Sequence, residues 1–433
     1  MRPGLTTRDA ARFFLPLIFM TELNMISKSA IHAFLARLAA PKITLAAFSI
    51  AFAFYYTVTS ATEVFTLVSI SYLKDRRALL HLLGFFCLVL TPPLALTLAV
   101  AWTPLGDWLY GRGFGASPAV IAQAQLATFF LTLSAPVLIC RGMAFALIMQ
   151  HRRTIWITAS TLLRLLSLGV SLVVLPRWLP GASVGAAALV ACMVVEAGFA
   201  WIPASGFFRA LPASAGPQPR YGELWRFSWP LMLNQGAEMG IVMTINVFLG
   251  RLASPDLALA AFGVVQGLAN VLLSPLRNLV HTAQTLTRTA ADVRVMWRFT
   301  HWLVVWFTLL VGAVFLLPPL RDWVLLGLMG LTEELAAYGR PGVMLAFLVA
   351  GAWGYSALFR GLLAGARRTG TIAAAAGGRL AAVAALGGLT LVFRDMNGAV
   401  FGILVWGLTF LVDVGVLGRR LRQGGGAGQA LFR

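Results

Sequence analysis

Eight stretches free of Asp, Glu, Lys and Arg, each at least 17 residues long, punctuate this sequence: 43–62, 78–106, 113–140, 178–195, 257–276, 299–320, 341–359 and 396–412. A bilayer-spanning helix needs about 20 predominantly apolar residues. Runs of this length, repeated along the chain, predict an all-α polytopic membrane protein. A water-soluble fold fails on composition, because only 11% of the 433 residues are charged, against about 25% in an ordinary soluble domain. A membrane barrel would show short alternating strands, and none is present. The net charge of +19 does not point to nucleic acid, since the basic residues lie between apolar runs and form no cluster. Cys87, Cys140 and Cys192 sit inside apolar runs and read as small core residues, with no disulfide framework or metal site. The first apolar segment lacks a small-residue cleavage site and reads as a retained helix.

Twelve spans fit: 11–36, 43–70, 79–102, 118–149, 154–176, 182–208, 225–250, 257–283, 297–319, 336–364, 370–393 and 397–418. With the N-terminus in the cytoplasm, the inner segments carry 20 Lys and Arg and the outer segments 8. That excess on one side sets the orientation and favours an even helix count with both termini cytoplasmic, in a plasma or inner membrane. The Pro- and Ala-containing stretch 210–224 reads as a cytoplasmic linker between a first six-helix lobe, 1–209, and a second, 225–420. The glycine-rich tail, 421–433, reads as disordered.

The two halves are related by duplication. Residues 13–50 align without a gap to 227–264, with 15 of 38 positions identical. The densest stretch sets Arg37, Leu38, Ala39, Pro41 and Leu45–Phe48 against Arg251, Leu252, Ala253, Pro255 and Leu259–Phe262. Further on, Pro104-Leu105 and Asp107-Trp108 match Pro319-Leu320 and Asp322-Trp323. Arg152-Arg153-Thr154 matches Arg367-Arg368-Thr369, Arg164 matches Arg379, and Glu196 matches Asp413. Six spans per half start both halves on the same side, so the repeats are parallel. Secondary transporters are built this way, with a site at the repeat interface near the midplane.

The segment Val247–Val265, with its Gly250-Arg251-Leu252 and Leu259-Ala260-Ala261 and the earlier helix proline Pro230, resembles the first-helix pattern of the multidrug and toxic compound extrusion (MATE) family. The first copy departs from it in having Ala36 for the glycine. The resemblance extends to the wider superfamily, which includes polysaccharide and lipid-linked oligosaccharide flippases and ankylosis-protein-like exporters. It implies two six-helix lobes forming a V-shaped central cavity lined by the first, second, seventh and eighth helices, and alternating access. The rival parallel-repeat architecture, the major facilitator fold, usually has a glycine-containing loop after its second helix. Here that loop is Lys74-Asp75-Arg76-Arg77.

Polar residues inside spans are costly and mark function by default. In the first span Thr21, Asn24, Lys28 and His32 fall on one helical face. Their repeat counterparts include Gln235, Glu238 and Asn246. The eighth span repeats the pattern with Gln266, Asn270, Ser274, Arg277 and His281, matched in the second by Phe52, Tyr56, Ser60, Glu63 and Leu67. These faces predict a hydrated substrate and ion cavity. Glu22, Asn24, Glu63 and Glu238 are candidates for sodium or proton coupling, and Glu63 with Arg277 for a gating pair. Arg164 with Glu196 and Arg379 with Asp413 are predicted structural ion pairs. Arg141, about 13 Å from the inner end of its helix at 1.5 Å per residue, is a substrate-contact candidate. Arg360 can snorkel. Interhelical hydrogen bonding is the competing reading of these polar faces.

The spans hold five acids against six bases and two histidines, a balance tilted towards an anionic or zwitterionic solute. No phosphate-binding loop, metal-binding pair or serine nucleophile elbow is present, so no cofactor is expected. The predicted function is ion-coupled export of a small organic solute by a monomeric transporter, not an enzyme. Alternatives are a flippase for a lipid-linked saccharide or lipid, a multidrug cation antiporter, and, from another class, a membrane-embedded transferase.

Overall fold

A computed structural model of the chain describes residues 5–38, 40–114, 116–214 and 216–423, leaving aside the side chains at 28, 29, 42, 61 and 256. The described residues form helices and turns, with no strand among them. The first half comprises α1 (Thr7–Leu35), α2 (Pro41–Thr59, a 3-10 turn at Ser60–Glu63, then Val64–Tyr72), α3 (Arg76–Trp102), α4 (Pro118–Thr132 and Ser134–Gln150), α5 (Ile155–Val174) and α6 (Ala182–Arg209). The second half comprises α7 (Tyr221–Leu249), α8 (Pro255–Leu273, a 3-10 turn at Ser274–Asn278, then Leu279–Leu286), α9 (Ala290–Leu316), α10 (Glu333–Leu345 and Phe347–Gly365), α11 (Gly370–Gly387 and Leu389–Val392) and α12 (Gly398–Gln423). By length and composition, eleven of these helices could cross a membrane. The other, α7, is 29 residues long but carries Asn234, Gln235, Glu238 and Asn246.

The duplication is visible in details of the backbone. The 3-10 turns interrupt α2 and α8 at matching positions. A π turn at Trp108–Gly113 has its counterpart at Trp323–Leu328. Arg152 and Arg367 both take a left-handed conformation, with φ of 57° and 58°, where the chain leaves α4 and α10. In each half the last helix packs between its fourth and fifth: α6 against α4 and α5, α12 against α10 and α11.

Local signals explain where helices begin. Asp75 caps α3, its Oδ1 accepting from the Ala78 amide at 2.7 Å. Thr289 and Asp292 form a capping box at the start of α9, with bonds of 3.2 and 2.9 Å, satisfying amides that the helix cannot. At the entry to α6, Gly181 has φ of 55°, and an added Cβ would lie 2.3 Å from Gln123 Oε1. That oxygen accepts from the Ala182 amide at 3.1 Å, so the turn requires glycine on both conformational and steric grounds.

The chain divides into two compact units, Leu15–Ser228 and residues up to Phe14 with Trp229–Arg433. The boundaries differ from the expected lobes, and aromatic contacts explain the difference. Phe14 lies edge-on to Phe299 at 5.6 Å, while Tyr221 and Phe227 of α7 pack on Phe85 and Tyr72 at 5.8 and 5.3 Å. The expected linker is also shorter and more ordered than 210–224, because α7 begins at Tyr221. It is fastened to the start of α3. The Arg76 amide donates to Pro212 O at 3.0 Å, Arg76 Nε donates to Leu211 O at 3.1 Å, and Arg76 Nη2 bonds Arg209 O. Gln218 Nε2 donates to both Asp75 carboxylate oxygens at 3.1 Å. His81 Nε2 is 2.7 Å from Pro219 O. Of the expected disordered tail, 421–423 are helical in α12 and 424–433 lie outside the described residues.

Small residues set the closest helix approaches, as membrane packing requires. A Cβ at Gly361 of α10 would meet Val280 O at 2.5 Å and Ala283 Cβ at 2.8 Å in α8, whereas one at Gly415 of α12 would meet nothing within 4 Å. Gly361→Ala is expected to lower the melting temperature of the detergent-solubilised protein. Gly415→Ala should leave it unchanged or raise it, by up to about 1 kcal/mol of helix propensity. Thermal melting of the two variants beside the parent checks this ordering.

Candidate functional site

Within the Leu15–Ser228 unit, the Glu196 side chain is fully buried in α6. Its Oε2 accepts from Arg141 Nη1 of α4 at 3.1 Å and from Arg164 Nη1 of α5 at 3.3 Å. Its Oε1 accepts from Thr161 Oγ1 at 2.9 Å. Arg164 Nη1 also donates to Asn24 Oδ1 of α1 at 2.7 Å. Side chains of α4 and α5 thus converge on the α6 carboxylate, and α1 joins them through Arg164. Burying an ion in a low-dielectric interior is tolerated only when it is paired and hydrogen-bonded. Here one carboxylate serves two guanidiniums.

Within the other unit the cluster has a second acid. Glu238 of α7 accepts from Arg379 Nη1 and Nη2 of α11 at 2.8 and 3.0 Å, a bidentate fork. It also accepts from Arg360 Nη1 of α10 at 2.9 Å. Arg360 Nε donates to Asp413 Oδ2 of α12 at 2.7 Å, and Ser356 Oγ donates to the same oxygen. The Arg379 guanidinium lies 4.9 Å from the centre of the Phe410 ring. Two expectations are corrected here. Arg379 pairs with Glu238 rather than with Asp413, because Glu238 presents both oxygens to its fork. Arg360 does not snorkel: it is buried and bridges the two acids. Sequence reasoning therefore missed Arg360 and Ser356 as cluster members. The signal was available in their spacing of one helical turn, at the repeat positions of Arg141 and Phe145.

The remaining candidates occupy varied surroundings in their own units. Glu63, in the 3-10 turn of α2, accepts from Tyr56 at 3.0 Å. His32 lies edge-on to Phe48 at 5.3 Å, and the rings of Phe48, Phe52 and Tyr56 continue as a stack at 5.8 and 5.9 Å. Arg277 is exposed and 6.0 Å from the Trp353 ring. Gln235, Asn246, Gln266 and Asn270 are each partly buried. Buried polar atoms without a partner among the described residues include Glu22 Oε1, His281 Nδ1 and Asn234 Oδ1. The Lys28 side chain lies outside the described residues.

No family model matches the sequence, and neither does any curated protein sequence. Solved structures do match it along nearly its whole length. A point mutant of the Vibrio cholerae MATE transporter VcmN superposes with a TM-score of 0.77 at 15% identity, covering 99% of this chain and 98% of that one. The fold is that of the MATE transporters. A eukaryotic MATE transporter, AtDTX14, matches with a TM-score of 0.73 at 16% identity, over 98% and 97% of the two chains. A Pyrococcus furiosus transporter of the MOP superfamily, described as having a binding pocket of reverse polarity, matches at 0.73 and 14%, over 99% and 97%. The twelve helices in two six-helix halves are the layout of this MATE fold.

Removing one partner from a buried ion pair leaves an uncompensated charge, at a cost of about 3–5 kcal/mol. Glu238→Gln leaves Arg379 without a carboxylate and Arg360 with Asp413 alone. Asn24→Ala removes a neutral acceptor and leaves Arg164 on Glu196, at a cost of about 1–3 kcal/mol. Thermal melting in detergent is expected to show the larger loss for Glu238→Gln.

Proposed function

We propose that this protein is a secondary transporter that moves a small organic solute across a membrane by alternating access. The carrying observation is a MATE fold over the full chain, combined with ionisable residues buried deep in helices of both halves. Such residues are expensive in a bilayer and are kept for substrate and ion handling or for a scaffold that serves it. The excess of basic residues in the inner segments supports cytoplasmic termini. Nothing in the sequence points to a built-in ATP motor, so the driving force would be an ion gradient.

Three of the five acids in the spans, Glu196, Glu238 and Asp413, are held by arginine. Glu22, whose Oε1 has no partner among the described residues, is the group we assign to sodium or proton coupling. A solute of negative or zwitterionic character suits a protein whose interior acids are matched by bases. The opposite reading, a multidrug cation antiporter, is favoured by one feature, the aromatic stack on α2 that ends at Glu63. Organic cations prefer the faces of such rings.

Counterflow in proteoliposomes tests the assignment. Organic anions and cations are offered in parallel, under imposed sodium or pH gradients. Exchange accelerated by internal unlabelled anion is expected, with gradient-driven accumulation lost in Glu22→Gln. Accumulation of organic cations that depends on Glu63, with no movement of anions, would favour the multidrug reading. Absence of exchange for both classes overturns the transporter assignment.

A further inference from the structure

The two charged clusters are built from equivalent helices, yet their charges do not match. At repeat-equivalent positions Asn24 stands for Glu238, Arg164 for Arg379 and Glu196 for Asp413. Arg141 corresponds to Ser356, and Phe145 to Arg360. Each cluster therefore holds two arginines, one fixed in place and one shifted by a helical turn. The Glu238 cluster has two carboxylates for its two guanidiniums, and the Glu196 cluster has one. Arginine does not deprotonate in proteins, so the Glu196 cluster by itself holds one more guanidinium than carboxylate.

The unspent charge can be placed at atoms. Arg141 Nη1 is committed to Glu196. Its Nε and Nη2 make no hydrogen bond among the described residues, and its side chain is 23% exposed. Those two nitrogens form one edge of the guanidinium, the parallel pair of donors that fits a carboxylate bidentately. The Phe145 ring, 5.5 Å from the guanidinium carbon, gives that group an apolar neighbour. Deeper in, Arg164 Nε is buried and has no partner. Both guanidiniums thus have unused donors, and the cluster lacks the acid that its counterpart contains.

We propose that Arg141, Arg164, Glu196 and Asn24 form a binding site for the carboxylate of a small organic monoanion, seated on the Nε–Nη2 edge of Arg141. The bound acid supplies from solution the charge that Glu238 supplies within the other unit. That this acid is also the cargo rests on the transporter reading; the binding site does not.

Thermal melting of the full-length protein in detergent tests the site, with sodium acetate titrated against sodium chloride at matched ionic strength. Acetate is expected to raise the melting temperature in a saturable manner, and chloride is not. Arg141→Ser installs the residue found at the equivalent position of the other half and leaves Arg164 paired with Glu196, so the fold should survive while the acetate response disappears. Asn24→Glu supplies the missing carboxylate internally. It should raise the melting temperature without acetate and weaken the apparent acetate affinity at least tenfold. Equal responses to acetate and chloride, or an acetate response unchanged in Arg141→Ser, would overturn the proposal. Counterflow of labelled gluconate, a membrane-impermeant carboxylate, separates the two readings. Arg141-dependent acetate binding without any counterflow leaves the site standing and removes carboxylate transport. Solute counterflow without Arg141-dependent binding does the reverse.

Discussion

Arginine buried in a membrane helix must meet a carboxylate, and this requirement organises both halves of the molecule. A guanidinium cannot shed its charge, and in a low-dielectric interior its field is satisfied only by a partner at hydrogen-bond distance. Glu196 meets it for α1, α4, α5 and α6. Glu238 and Asp413 meet it for α7, α10, α11 and α12. The same four helices are tied together in each half, so the ion pairs act as internal fasteners between helices that apolar contacts alone would hold without fixed register. Hydrophobic burial cannot set that register here, since lipid tails are as apolar as the helix faces.

The symmetry is kept at the level of roles and relaxed at the level of residues. Arg164 and Arg379 hold their place, as do Glu196 and Asp413. The second arginine sits at 141 in one half and at 360 in the other, one turn further along the equivalent helix. The move is tolerated because residues four apart share a helical face. Ser356 fills the vacated position with a hydroxyl that still serves Asp413, and Phe145 fills the other with a ring beneath Arg141.

Much of this architecture is legible in the sequence. Long charge-free runs give the helices, and the constant offset between halves gives the repeat. Arg164 and Glu196 stand out because each has a charged counterpart in the other half. The partner of Arg379 is not legible, because sequence alignment conserves positions, whereas an arginine selects the carboxylate that offers two oxygens. The burial of Arg360 is hidden because depth along a helix does not reveal which face the residue occupies. Proline and small residues make the linker look loose. Its restraint comes from Asp75, Arg76 and His81, more than a hundred residues away, and composition does not carry that information. Lobe boundaries shift for a similar reason, since Phe14, Tyr221 and Phe227 find aromatic partners across the helix ends.

The paired π turns bear on the history of the chain. A π turn takes one more residue per hydrogen-bonded loop than the surrounding α-helix and is rarely favoured on its own merits. Its presence at Trp108–Gly113 and again at Trp323–Leu328, each opening on the tryptophan of an Asp-Trp step, is what inheritance from one unit before the gene was doubled would leave. Such a six-helix unit would already have had a widened coil between its third and fourth helices. Both descendants would have kept it through a divergence that erased most of their shared residues.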